Sequence, residues 1–214
     1  AVGTDLLYAA VTKSVGTLVH GRRGSVDWSI VLRLASGSIP GTLATLAMLH
    51  HFGSPSHDAT HVITVSLGIA LILTAPSILF RHQLQAWSRR KAGSMTPGTT
   101  HLVTILFGLA LGIMVSISSV GAGAIGIVVL LLLYPSLPTA TIVGSDIAHA
   151  VPLTLIAGMG HWAMGDVNTA LLTSLLVGSI PGIILGSLCV GRVNERVQRG
   201  VLATVLLVVG TRLI

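Results

Sequence analysis

The stretch Val143-Gly144-Ser145-Asp146-Ile147-Ala148-His149 decides the fold, because a near copy of it, Val2-Gly3-Thr4-Asp5-Leu6-Leu7-Tyr8, opens the chain. The copies lie 141 residues apart, since Gly144 matches Gly3. The same offset aligns Gly37-Ser38-Ile39-Pro40-Gly41 with Gly178-Ser179-Ile180-Pro181-Gly182. Five identical consecutive residues, in register with a shared aspartate, make chance a poor explanation. We therefore interpret the pattern as an internal duplication.

The composition indicates a membrane protein. Of 214 residues, 52% are hydrophobic and only 8% are charged, with a mean hydropathy of +0.90, whereas about 25% of the residues in a soluble domain are charged. Long apolar runs without alternation, Val62–Phe80, His101–Ser118 and Val201–Ile214, fit helices in lipid and not the strands of a barrel. The predicted fold class is an all-α polytopic membrane protein, with the lipid bilayer as its surroundings.

The charge and the motifs narrow the functional classes. The net charge is +6 and the pI about 10.8, but the basic residues stand in short runs between helices, which is typical of membrane orientation and argues against nucleic-acid binding. Cys189, the single cysteine, cannot form an intrachain disulfide. Metalloprotease, phosphate-loop and nucleophile-elbow motifs are missing from the sequence. We predict neither an enzyme nor a cofactor.

The apolar pattern predicts seven long helices and one short one. The short segment, Gly123–Tyr134, is too short to cross about 30 Å of hydrocarbon comfortably, so it either spans the membrane or is re-entrant. Gly37 and Pro40 should kink or break the second helix. The long helices are predicted at Val2–Val19, Trp28–Leu49, Val62–Phe80, His101–Ser118, Thr139–Gly160 and Val167–Val190, with a last one after Arg199.

The duplication divides the chain into a first repeat at 1–80, a basic cytoplasmic loop at 81–96 and a second repeat at 97–214. We expect the first repeat to lack an N-terminal piece. If Arg22-Arg23 and Arg81–Lys91 lie inside and the short segment crosses, the equivalent loops Gly21–Asp27 and His161–Asp166 face opposite sides. That arrangement is typical of two inverted structural repeats with broken or re-entrant helices, as in secondary transporters. A re-entrant short segment would invalidate this orientation.

Two acids inside predicted membrane helices, Asp5 and Asp146, are the sharpest functional signals, because such an acid costs about 2.5–3.5 kcal/mol on insertion scales. The alternative is that each caps a helix that begins after Gly3 or Gly144. The two interpretations are compatible, because a helix start within the membrane presents free amides and a positive dipole end to an anion.

Lys13 and His149 lie on the same helix faces as these acids. Lys13, two turns after Asp5, can attract an anion or neutralise an acid, or else extend toward the headgroups. His149, one turn after Asp146, can pass a proton, or else only hydrogen bond within the bundle.

Segments rich in small residues, and a loop rich in histidine, are weaker indications of a functional site. Ser118–Gly126 lets backbone N–H groups approach a ligand, or merely permits close helix packing, the interpretation that we favour for Gly-Ser-Ile-Pro-Gly. A loop rich in histidine suggests a metal site, but its spacing matches no defined ligand motif. Its candidate residues are His50, His51, His57, Asp58 and His61.

The sequence resembles the TauE/SafE sulfite-exporter family, also called TSUP, over nearly its whole length. The first half carries Val2–Ala9, followed by small and polar residues at family positions. The second half carries Gly121-Ala122-Gly123, Tyr134-Pro135 and Val143–Ala150. The further matching positions in the first half are Lys13, Gly16, His20, Gly24, Val26, Trp28, Gly37 and Pro40.

The resemblance implies a multi-pass transporter of the cell inner membrane that moves sulfite, related sulfur oxyanions or organosulfonates together with protons. A homodimer is one assembly that we consider. Asp5, Asp146 and His149 are assigned to proton coupling. A metal-ion carrier that uses the histidine loop and a non-transporting scaffold protein are the alternatives. The residues assigned to substrate binding are Thr4, Lys13, Ser118, Ser119, Gly121, Gly123 and Ser145.

Overall fold

The computed structural model describes residues 2–22, 24–53, 96–119, 123–190 and 195–213, with a few single positions between 65 and 83. Within these ranges every regular element is a helix, which confirms the all-α prediction. The helix predicted at 62–80 lies almost wholly outside the described residues. The helices are α1 Val2–Arg22, α2 Trp28–Phe52, α3 Pro97–Ser118, α4 Ala124–Leu133, α5 Thr139–Ala163, α6 Thr169–Val190 and α7 Glu195–Leu213.

Three of the described helices are long and apolar enough to cross a bilayer, at Trp28–Phe52, Gly98–Ser118 and Thr139–Ala163. Large apolar side chains on these helices point outward, as lipid-facing residues do; Leu32, for example, is 68% exposed. The short helix α4 has ten residues and is therefore about 15 Å long, half the hydrocarbon thickness. It confirms the prediction of a short helix at this place.

The prolines do not end the long helices. α2, α5 and α6 continue through Pro40, Pro152 and Pro181. The alternative that Ser145 and Asp146 cap a helix is excluded, because α5 begins at Thr139 and runs unbroken past both residues. The Ser145 hydroxyl instead donates to the Thr141 carbonyl of its own helix, at 2.7 Å.

Glycines bring α2 and α3 together. Gly37 and Gly41 of α2 face α3, and Gly108 and Gly112 of α3 face α2. A Cβ at Gly41 would lie 2.7 Å from the Leu109 carbonyl oxygen, so the two backbones touch with no side chain between them. This confirms close packing as the role of the first Gly-Ser-Ile-Pro-Gly. In the second copy, by contrast, no heavy atom of the described residues lies within 4 Å of a Cβ position at Gly178 or Gly182.

The equivalent helices α1 and α5 pack antiparallel. A Cβ at Gly3 would meet His161 Cβ at 2.6 Å, a Cβ at Gly158 would meet the Leu7 side chain at 2.8 Å, and a Cβ at Gly16 would meet Ile147 at 3.4 Å. The start of α1 therefore lies beside the end of α5. The pair shares an apolar core with α3, formed by Leu6, Leu111, Val115, Leu153 and Ala157.

Candidate functional site

The predicted site residues form two groups, one at each end of the α1–α5 pair. Because the helices are antiparallel, Asp5 lies near the level of Gly158 of α5, about 12 residues or about 18 Å along the axis from Asp146. The two acids therefore do not share one pocket. Lys13 lies between their levels and interacts electrostatically with both carboxylates.

The first group lies where α3 ends and α1 begins. The Ser119 hydroxyl donates to Asp5 Oδ2, and Ser119 itself adopts the left-handed conformation, with a φ of 57°. Ser118 donates to the Met114 carbonyl at 2.7 Å. Gly123, with a φ of 134°, starts α4 without a side-chain cap, and Gly121 lies outside the described residues. The hydroxyl of Ser119 thus holds an exposed carboxylate of α1 at the end of α3.

The second group is centred on Asp146, whose residue is only 1% exposed. Neither carboxylate oxygen has a hydrogen-bond partner among the described residues. The carboxylate lies directly against the backbone of Gly126, where a Cβ would be 2.9 Å from Asp146 Cγ. Gly126 is in the first turn of α4, whose N–H groups have no partner within the helix and carry partial positive charge. The acid therefore faces the positive end of a short helix.

His149 lies one turn after Asp146 and is fully buried. Its Nε2 lies 2.8 Å from the Ser38 hydroxyl of α2, and its Nδ1 has no partner in the described part of the chain. Lys13, which is half-buried, also acts electrostatically on this imidazole. A half-buried cation thus acts on a buried acid and a buried imidazole, a set of groups that can take up a proton and neutralise an anion.

Thr4 and Ser145, the equivalent hydroxyls of the two repeats, make reciprocal hydrogen bonds. Thr4 Oγ1 accepts from the Asn168 N–H at 2.9 Å, and Ser145 Oγ accepts from the Asp27 N–H at 2.8 Å. Asp27 and Asn168 are themselves 141 residues apart and start α2 and α6. Each repeat therefore holds the start of a helix from the other. Because Ser145 also donates to Thr141, its hydroxyl has no hydrogen left for an anion.

Asp27 and Asn168 were missed in the sequence, although the repeat offset pairs them and both residue types favour helix starts. Arg33 was missed as well. Its Nη1 donates to the Tyr134 hydroxyl at 3.3 Å, and this hydroxyl lies 2.8 Å from Thr104 Oγ1. No sequence signal joins these residues, because Arg33 and Tyr134 are 101 positions apart.

The histidine loop remains a prediction. The exposed rings of His50 and His51 lie with their centroids 5.7 Å apart, while His57, Asp58 and His61 lie outside the described residues. Where the structure describes the chain, no group of three or more metal-ligating side chains occurs.

A family model and two relatives that match the chain all describe membrane transport proteins. The family model described as "Sulfite exporter TauE/SafE" matches residues 1–213. The chain is 35% identical to the probable membrane transporter protein YjnA of Bacillus subtilis, over 100% of the chain and 84% of that protein. It is 25% identical to the probable membrane transporter protein YdhB of the same organism, over 87% of the chain and 73% of that protein. No solved structure matches the chain. The chain therefore belongs to the TauE/SafE family of membrane transporters.

Proposed function

We propose that the protein is a secondary transporter that moves sulfite, a related sulfur oxyanion or an organosulfonate across the inner membrane together with protons. The family description supports a small anion as the substrate. In this proposal Asp5, Asp146 and His149 carry protons. The candidates for binding the anion along the path are Thr4, Lys13, Gly121 and Gly123. The hydroxyl hydrogens of Ser118, Ser119 and Ser145 are already donated to Met114, Asp5 and Thr141.

The observation that carries the proposal is the position of Lys13, which interacts with both acids while Asp146 lacks any hydrogen-bond partner among the described residues. When both acids are ionised, their two negative charges exceed the single positive charge of Lys13, so the three groups together repel an anion. Protonation of Asp146 removes one negative charge and brings the sum of the three charges to zero, so the ammonium group of Lys13 attracts an anion against less repulsion. Proton uptake and anion binding then favour each other, which is the coupling that a proton-linked transporter requires.

The packing of α1 and α5 supports the proposed inverted relation of the repeats. These helices are equivalent by the offset of 141 residues, and they run antiparallel. Their reciprocal hydrogen bonds lie at opposite ends of the pair. In transporters with inverted repeats, equivalent contacts at the two ends open alternately around a fixed site. Lys13 is in place to serve as that site.

The experiment is flux of labelled sulfite and of an organosulfonate into proteoliposomes, with and without a pH gradient. Asp146→Asn should lower gradient-driven flux at least about tenfold, because removing a charge interaction inside a protein costs a few kcal/mol. Asp166→Asn, at a carboxylate that is 53% exposed, is the matched control and should transport normally. Undiminished flux in the Asp146→Asn variant, with normal insertion, would remove this acid from the mechanism.

A further inference from the structure

The hydrogen bonds around Arg33 run in one direction. The Thr104 hydroxyl donates its single hydrogen to the Thr100 carbonyl at 2.7 Å. It must therefore accept from the Tyr134 hydroxyl, which lies 2.8 Å away. The Tyr134 oxygen is then left to accept from Arg33 Nη1. The guanidinium is thus aligned by a chain of donors that ends on a backbone carbonyl, and Thr104 is fully buried.

Within the described residues, this alignment engages only a small part of the guanidinium. Arg33 has five N–H donors, of which Tyr134 takes one. In the described ranges no carboxylate lies within 4.0 Å of Arg33, and a neutral phenol does not balance its charge. Arg33 is about 8 Å along α2 from Trp28, an exposed aromatic residue at the level where membrane–water interfaces place tryptophan. An arginine at this depth reaches the membrane–water interface with its charged end, where headgroup phosphates and soluble anions are accessible to it.

We propose that Arg33, held by Tyr134, binds an oxyanion at the end of the bundle where α2 begins. The planar fork of the guanidinium matches two oxygens of a sulfite, sulfonate or phosphate group. Two sources share this chemistry, the transported sulfur oxyanion and the phosphate of a lipid headgroup. The first source rests on the proposed function.

The site belongs to one end of the bundle only. The repeat offset places Ser174 of α6 at the position of Arg33, and the Ser174 hydroxyl donates to the Leu171 carbonyl of its own helix at 2.9 Å. The duplication therefore supplies no second guanidinium. An anion meets a fixed cation at the end where α2 begins and a neutral residue at the equivalent place of the other repeat.

The test uses the full chain, purified in a zwitterionic detergent, with sulfite under anaerobic conditions as the probe. Arg33→Gln should weaken sulfite binding, measured by calorimetry, by about tenfold to a hundredfold, the value of hydrogen bonds to a charged group. Arg33→Lys should recover part of the loss, since it restores the charge but not the fork. Tyr134→Phe, which keeps the cation, should weaken binding by about threefold to tenfold. Arg212→Gln, at an exposed arginine in the last turn of α7, is the control and should bind normally.

A second arm distinguishes the two sources. Native mass spectrometry counts phosphatidylglycerol molecules retained by each variant, and flux is measured in phosphatidylcholine vesicles with and without that lipid. Loss of sulfite affinity in the calorimetry, together with loss of flux in vesicles of phosphatidylcholine alone, supports the transported anion. Loss of one retained lipid, with sulfite affinity intact, supports the headgroup. If Arg33→Gln and Tyr134→Phe change neither quantity, Arg33 binds no oxyanion and the proposal is overturned. If gradient-driven flux is unchanged in both variants, only the transported anion is refuted as the source. If the wild type shows no flux but its sulfite binding depends on Arg33, only the transport function is refuted.

Discussion

The two copies of Gly-Ser-Ile-Pro-Gly offer the same substitution in two different surroundings. Gly37→Ala and Gly178→Ala change the first glycine of identical sequences, each within a long helix. At Gly37 the new methyl group would meet the backbone of α3. At Gly178 it would meet no heavy atom within 4 Å in the part of the chain that the structure describes. We expect the first substitution to destabilise the protein and the second to leave it as stable or slightly more stable.

The magnitude follows from the contacts. A Cβ at Gly37 would overlap the Ile105 carbonyl oxygen, and it would lie 2.8 Å from Leu109 N and 2.9 Å from Ile105 C, where ordinary contacts begin at 3.4 Å. The obstacles are backbone atoms and cannot rotate away, so α2 and α3 must separate by more than half an ångström. Overpacking of this kind costs about 1–3 kcal/mol, and a separation of this size forfeits about a quarter or more of each dispersion contact. Both variants gain up to about 1 kcal/mol of helix propensity. Because this gain is common to both, the difference between them should be about 1–3 kcal/mol.

The assay is titration with SDS in mixed micelles, followed by tryptophan fluorescence, which gives the free energy of unfolding of each variant beside the wild type. A double variant should show the sum of the single effects, because the second site touches nothing that the first one moves. Equal stabilities for the two single variants, or a greater loss in Gly178→Ala, would refute the conclusion that the α2–α3 contact depends on glycine.

Two further predictions use the same titration. Thr4→Val and Ser145→Ala each leave a backbone N–H of the other repeat without its acceptor, and each should lower the free energy of unfolding by about 1–3 kcal/mol; an unchanged midpoint in both would show that the reciprocal bonds contribute nothing. Ser38→Ala removes the hydrogen-bond partner of His149 Nε2 and should lower the free energy of unfolding by about 1–3 kcal/mol. The control Ser36→Ala, at an exposed hydroxyl, should lower it by less than about 0.5 kcal/mol. Similar losses in the two variants would contradict the role of the imidazole contact.

Much of the helical pattern was predictable, because each membrane helix appears in the sequence as a long run of apolar residues. The predicted end of the fourth long helix at Ser118 matches the end of α3, and the short helix before Tyr134 was expected from its length and flanking prolines. The duplication also identified Thr4 and Ser145 as equivalent residues. These features depend on neighbouring residues or on identity between two segments of the sequence. They can therefore be predicted without knowing which helices are in contact.

The arrangement of the site was not predictable in the same way. Sequence spacing placed Lys13 near Asp5 on one helix, but only the antiparallel packing of α1 on α5 sets Asp5 and Asp146 apart, with Lys13 between them. The alternative of a helix cap at Ser145 is excluded because α5 already begins at Thr139, after Pro138. Partners distant in the chain, such as Arg33 and Tyr134, leave no periodic signal.

The glycine contact between α2 and α3 determines which parts of the chain can move as one body. By sequence α2 belongs to the first repeat and α3 to the second, yet their backbones touch at Gly37, Gly41, Gly108 and Gly112. A contact without intervening side chains has no rotamers to absorb a displacement, so a rotation of α2 must carry α3 with it. The hinge of any rocking motion therefore lies away from this contact, and the rigid unit crosses the boundary that the duplication draws.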